Sequence, residues 1–192
     1  SRGWSIIGFS SQELTGENGR AVNAIDGNTS TLWHTVYRSG DGSQTTSPHH
    51  IIIDFGSVVS VSEVDLVTRN YGFTVNVYLS QTLDALDGTS VATYSYANGA
   101  NTHKITFSAV DARYMKLVFT NPSSKDHVDL KEIGINGVYG TMASFSGATH
   151  DLNCYTHAYD GSRVLTQQFP YYAWDSSYSG VAALEKTNGI GH

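Results

Sequence analysis

The stretch Asn23-Ala24-Ile25-Asp26-Gly27-Asn28-Thr29-Ser30-Thr31-Leu32-Trp33-His34-Thr35 holds the side chains of this protein best suited to chemistry. Asp26, Asn28 and Thr31 surround Gly27 with no regular period. Such a loop can curl and aim several oxygens at one point. Hard cations such as Ca²⁺ take six to eight oxygens at about 2.3–2.6 Å, main-chain carbonyls included. Gly27 permits the tight turn. The same spacing also describes an ordinary Asp-Gly turn closed by Asx hydrogen bonds, the commoner use of such a triplet. Asn28-Thr29-Ser30 is a glycosylation sequon, but a glycan inside this loop would compete with its folding, and we read it as chance.

A second polar group is His150-Asp151-Leu152-Asn153-Cys154-Tyr155-Thr156-His157. His150, Cys154 and His157 can be drawn as soft metal ligands, yet their spacing fits no zinc pattern. Asp151 with either histidine can be drawn as a dyad, but no nucleophile motif or phosphate loop accompanies it. These residues read as the polar part of an aromatic-rich packing segment, with Cys154 a buried free thiol.

The elements that must carry such loops are strands. Short β-rich runs near residues 4–9, 50–55, 61–68, 73–80, 90–96, 103–107, 113–120 and 132–139 are separated by Gly, Asn, Asp and Ser clusters. Phe73, Val75, Val77 and Leu79 alternate onto one face, as do Met115, Leu117 and Phe119. No window holds a long 3.6-residue apolar repeat. Eight strands without crossover helices predict an all-β fold, an eight-stranded antiparallel sandwich or barrel. Residues 1–140 suffice for it. Residues 141–192 carry aromatics and few charges without clean alternation. They are expected to form a C-terminal extension packed on the sandwich, or the start of another module.

Composition narrows the function. The chain has 192 residues, 40% hydrophobic and only 15% charged, which excludes disorder. A net charge of −6 and a pI near 5.6 argue against nucleic acid and against an anionic membrane surface. No run approaches the ~18 apolar residues of a membrane span. The single cysteine excludes a disulfide scaffold. No signal peptide is visible at Ser1, so localisation rests on indirect grounds.

The Asp-Gly-Asn to Trp-His-Thr run resembles the motif of the discoidin, or coagulation factor 5/8 type C, superfamily, most closely the family 32 carbohydrate-binding modules. Three later segments agree in order: residues 48–56 (PHHIIIDFG), 112–119 (ARYMKLVF) and 130–140 (LKEIGINGVYG). The resemblance covers roughly residues 3–140 and implies an eight-stranded jelly-roll β-sandwich. It also implies a structural Ca²⁺ site. Asp26 and Glu132 would supply carboxylates, Thr31 a hydroxyl and a carbonyl, and Asn23, Asn28 and Lys131 main-chain carbonyls. The ion would then join the first loop to the last strand.

Sugar-binding members of this family combine a polar cluster with an aromatic platform. The resemblance carries that role to Glu17, His34, Arg69 and Asn70, residue types able to donate to and accept from sugar hydroxyls. Asn70 is matched across a loop about six residues shorter than the family's. The usual stacking aromatic is replaced by His127, with Tyr37 and Tyr71 as alternative platforms. Trp4 and Trp33 are expected to pack in the core. The implied function is that of a non-catalytic lectin-like module. It would recognise glycans ending in galactose or N-acetylgalactosamine, as a secreted or cell-surface part of a larger glycoside-active enzyme. The alternative is a protein-recognition or adhesion sandwich without a working sugar site. A lipid-binding discoidin domain would need apolar spikes ringed by cations, which the acidic balance opposes.

Overall fold

In the computed structural model the described residues are 3–37 and 46–140. All lie in the first of the chain's two units, Ser1–Ala143. The expectations for residues 141–192, including Cys154 and the polar group at 150–157, fall outside them.

Eight strands follow in order: β1 (Ser5–Phe9), β2 (Trp33–His34), β3 (His49–Thr68), β4 (Thr74–Ser80), β5 (Ala92–Ser95), β6 (Thr102–Thr120), β7 (Asp129–Ile135) and β8 (Val138–Tyr139). Two short 3-10 helices, Ala21–Ile25 and Asp84–Asp87, interrupt them. Every strand pair is antiparallel.

Two expected strand pairs turn out to be single long strands. The runs near 50–55 and 61–68 are the two halves of β3, and those near 103–107 and 113–120 are the halves of β6. The register between β3 and β6 shifts between Asp54 and Val59, and Gly56 there has a φ of 78°. An extra residue in one partner bends a strand and increases its twist. The bend carries β3 from one sheet into the other. Its first half pairs with β1 and with the second half of β6, which continues to β4 and β5. Its second half pairs with β7, which continues to β2 and β8. The two sheets thus share two bent strands, the architecture of a jelly-roll sandwich.

The last expected strand, 132–139, is a hairpin. Asn136 and Gly137 both have positive φ, 51° and 76°, as a two-residue turn between twisted strands requires. Asn136 also accepts, through its side-chain oxygen, from the amides of Ser62 (2.9 Å) and Glu63 (3.1 Å).

The alternation read from the sequence sets the inner faces. Ile51, Ile53 and Phe55 of β3, Val75 and Val77 of β4, and Met115, Leu117 and Phe119 of β6 are buried. Trp33 is fully buried and meets Phe119 edge-on, with ring centroids 6.0 Å apart. Trp4 packs on Phe55 at 5.0 Å. Burying side chains of this size stabilises the fold by about 1.5–3 kcal/mol each. The core ties the two sheets together and leaves the loops at the sandwich ends to carry polar groups.

Candidate functional site

The Trp33-His34-Thr35 triplet enters the sandwich as β2, antiparallel to the start of β7, with His34 opposite Asp129. Trp33 anchors the strand in the core. Thr35 locks the register: its N–H donates to the Val128 carbonyl (3.0 Å), and its hydroxyl accepts from the Val128 N–H (2.9 Å). His34 is thereby held at 2% exposure. Its Nδ1 lies 2.7 Å from the Thr35 carbonyl, which can only accept. Nδ1 must carry the proton, so Nε2 of the neutral ring is an acceptor. Burial lowers the His34 pKa below 6.5. The Thr35 bond and the charges of Glu17 and Asp129 oppose that shift, and Arg69 reinforces it.

Glu17 arrives on the loop after Glu13. The loop is closed by the Gly19 N–H donating to the Glu13 carbonyl (2.8 Å), and it docks on β2 through the His34 N–H donating to the Gly19 carbonyl (3.1 Å). Only glycine allows this approach, since a Cβ at residue 19 would stand 2.8 Å from the His34 Cβ. Glu13, buried to 1% exposure, accepts from the amides of Thr15 (2.7 Å), Gly16 (2.8 Å) and Tyr37 (3.1 Å). One carboxylate thus shapes both the Glu17 loop and the backbone of Tyr37. Glu17 Oε1 ends 3.9 Å from His34 Nε2, buried and without a hydrogen-bond partner. Two acceptors face one another there, which is a place for donors.

Arg69 directly follows β3 and leans over Glu17, Nη1 to Oε2 at 3.5 Å. Its Nε donates to Asp129 Oδ2 at 3.2 Å. Asp129 Oδ1 accepts from the amides of Asn70 (3.2 Å) and Tyr71 (3.3 Å), and the Asp129 carbonyl accepts from the Arg69 N–H (3.2 Å). Asp129 is 3% exposed. It orients Arg69, Asn70 and Tyr71 together, and the sequence reading missed it. Its one visible sign was a carboxylate between two apolar residues at the start of a strand.

The ring-bearing residues meet above this floor. His127 lies 5.0 Å from His34, 5.5 Å from Tyr37 and 4.6 Å from Tyr71, the last at 89°. Tyr37 in turn meets His34 at 4.4 Å. The His127 segment is tied down by Asp126, which accepts from the Ser47 amide (2.9 Å) and lies 3.1 Å from His49 Nε2. Burial also lowers the His127 pKa, reinforced by the nearby His34 and Lys125 and opposed by Asp129 and Asp126. Glu17, His34, Tyr37, Arg69, Asn70, Tyr71 and His127 therefore occupy one end of the sandwich. The carboxylates, guanidinium and imidazole can exchange hydrogen bonds with vicinal hydroxyls, and the rings offer apolar cover.

A second constellation joins the first loop to β7. Asp26 Oδ1 accepts from the Asn28 amide (2.9 Å), and its Oδ2 accepts from the Thr31 hydroxyl (2.7 Å). The Asn28 amide also donates to Glu132 Oε1 at 3.0 Å. Gly27, at φ 76°, makes the turn that brings these together. Asn23 commits its side-chain amide to the carbonyls of Asn18 (2.7 Å) and Leu32 (2.9 Å), leaving its own carbonyl as its contribution. Lys131 precedes Glu132 in β7. Glu132 is 1% exposed, and its Oε2 is buried without a donor. Burial and the adjacent Asp26 carboxyl push its pKa up to about 7, against the opposing amides of Asn28 and Gly27. Two facing carboxylates, both acceptors, need a proton or a cation between them. The Asx hydrogen bonds expected of an Asp-Gly turn are present, and the Asp26 carboxyl lies beside that of Glu132. Among the described residues no three His, Cys, Asp or Glu side chains cluster as metal ligands. The side-chain oxygens at this junction are two carboxyls and a hydroxyl, atom types that a hard cation prefers and a soft one does not.

Residues 23–117 match the family described as NedA-like, galactose-binding domain, of the F5/F8 type C group. A sialidase of Micromonospora viridifaciens is 30% identical over 138 residues, which span 69% of this chain and 21% of that enzyme. The family 32 module of C. perfringens NanJ, solved in complex with galactose, shares the fold with a TM-score of 0.55. It is 21% identical, with 69% of this chain and 92% of that one covered. The family 32 module of AlyQ, solved in complex with 4,5-unsaturated mannuronic acid, also has a TM-score of 0.55. It too is 21% identical, with 72% of this chain and all of that one covered.

Proposed function

Because the described sandwich belongs to the discoidin, or coagulation factor 5/8 type C, superfamily, near the family 32 carbohydrate-binding modules, we propose that the chain is a non-catalytic sugar-binding module for glycans ending in galactose or N-acetylgalactosamine. The observation that carries this reading is the meeting of Glu17, His34 and Arg69 beneath the rings of Tyr37, Tyr71 and His127. His34 accepts a sugar hydroxyl proton through Nε2, Glu17 accepts a second, and the guanidinium N–H groups not used by Asp129 donate. Asn70 lies exposed beside them, and His127 with its two tyrosines covers the C–H face of the ring.

With a few hydrogen bonds and one group of rings to contact, a monosaccharide binds weakly, with Kd on the order of 0.1–1 mM or about −4 to −5.5 kcal/mol. Useful targeting then depends on several modules on one chain. In this proposal the module is part of a larger secreted or cell-surface protein and directs a glycoside-active enzyme to its glycans. The sialidase relative, of which the matched stretch spans 21%, supports that organisation. Among the described residues no helix is long and apolar enough to cross a membrane.

Asp26 and Glu132, with the Thr31 hydroxyl and the carbonyls of Asn23, Asn28 and Lys131, would hold a structural Ca²⁺. The support is the donorless Glu132 Oε2 facing a second carboxylate. The ion would supply positive charge and a staple between loop and β7, and no chemistry.

A glycan array followed by calorimetry with galactose tests the sugar reading. Binding to galactose-terminated glycans that is lost in Arg69→Ala supports it. A blank array, with the protein folded, favours the protein-recognition alternative.

A further inference from the structure

Related sandwiches are seen with neutral galactose and with an unsaturated uronic acid, so the fold alone leaves the charge of the ligand open. We propose that this site selects neutral sugars and rejects acidic ones, uronates and sialates, and that Asp129 is the residue that sets this choice. The inference rests on the sugar-binding reading above.

The argument is a charge count at short range. Among the described residues Arg69 is the guanidinium that reaches the floor of the site, and two carboxylates already hold it: Asp129 on Nε at 3.2 Å and Glu17 on Nη1 at 3.5 Å. His34 and His127 are neutral near pH 7, since burial lowers both. The floor therefore carries one net negative charge. Arg20 and Lys125, the other described cations on the surrounding segments, are exposed, where water screens them. Residues 38–45, outside the described residues, hold one arginine and one aspartate, and so add no net charge.

Asp129 matters more than Glu17 because of where it lies. At 3% exposure its charge is weakly screened, whereas Glu17 is 28% exposed. It also occupies Nε, and with Glu17 on Nη1 neither the side edge nor the end of the guanidinium is wholly free for a bidentate pair with a ligand carboxylate. A hydroxyl meets no such penalty: it can donate to Glu17 and accept from Arg69. A carboxylate in the same place meets two acceptors, Glu17 Oε1 and His34 Nε2, and a guanidinium already committed.

Asp129→Asn removes the charge while its amide oxygen can still accept from the Asn70 and Tyr71 amides, although its amide nitrogen no longer accepts from Arg69 Nε. The test is calorimetry at pH 7.5 with galactose, galacturonate and the galacturonate methyl ester, which matches the acid in size but is neutral. Galactose and the ester should bind alike, with galacturonate about tenfold weaker, a gap that narrows in high salt. In Asp129→Asn the gap should fall to about threefold or less. Should that variant misfold, Glu17→Gln, altered at a part-exposed position, should narrow the gap in the same direction. Galacturonate binding as well as its ester in the wild-type protein overturns the inference and leaves the sugar reading standing. A gap unchanged in both variants overturns the role of Asp129. Failure of galactose and ester together, with the protein folded, overturns the sugar reading on which the inference rests.

Discussion

Replacing one oxygen donor at the loop–β7 junction is the sharpest perturbation of the proposed Ca²⁺ site. Glu132 is buried against Asp26, and its carboxyl is raised from 4.5 to about 7. A group raised on folding contributes stability fully present below its unfolded value and lost as pH rises through its folded value. In chelator the protein should therefore lose stability between pH 4.5 and 7, on the order of 3 kcal/mol in all. A bound cation replaces the proton and removes that loss. At a hundredfold excess of Ca²⁺ over its Kd the gain is about 2.7 kcal/mol, or roughly 6–9 °C in Tm for a domain of this size. Circular-dichroism melts at pH 8 with EGTA or with Ca²⁺ measure it. Glu132→Gln keeps an oxygen for the Asn28 amide and lets an N–H face Asp26. It should melt above the wild-type protein in EGTA and show no response to Ca²⁺. Asp26→Ala should also lose the response. Identical wild-type melts with and without chelator at pH 8, together with a Glu132→Gln protein less stable than wild type in EGTA, would refute the reasoning.

Three further outcomes are expected. Because burial lowers the His34 pKa below 6.5, galactose affinity should be flat from pH 8 to 7. It should weaken as pH falls through that lowered value, since a protonated ring has no acceptor; a titration of His34→Gln should lack this fall. His127→Ala removes the ring that touches both tyrosines and should weaken galactose binding about fivefold, near 1 kcal/mol, with Tm little changed. Leu117→Ala, at a fully buried position of β6, should lower stability by about 2–5 kcal/mol in urea melts. By contrast Gly72→Ala should destabilise without opening a cavity, because its Cβ collides with the Tyr96 carbonyl oxygen and the Ala97 main chain.

The inner faces were legible because strand alternation is local. Phe73, Val75 and Val77, and Met115, Leu117 and Phe119, point where their period-two spacing puts them. Strand continuity was less legible. Gly56-Ser57 looks like a turn, yet β3 runs through it with a bulge, since whether a glycine bends or ends a strand depends on the partner across the ladder. β2, two residues long, gives no periodic signal at all. It exists because Thr35 and Val128 exchange hydrogen bonds across a gap of 93 residues.

For the site, it was the family resemblance that pointed to Glu17, His34 and Arg69 and that paired Asp26 with Glu132; residue type by itself said only that these side chains can donate and accept. What the amino-acid sequence by itself determined was thus the all-β class, the buried faces and a set of groups with the right chemistry. Only the tertiary structure decided how those groups are used. It fixed the His34 tautomer through the Thr35 carbonyl. It brought His127 beside Tyr71 across 56 residues of chain. It set Asp129 beneath Arg69, where two carboxylates share one guanidinium. Charge balance, burial and ring contact depend on distances between residues far apart in the chain, and those distances come from the packing of the two sheets.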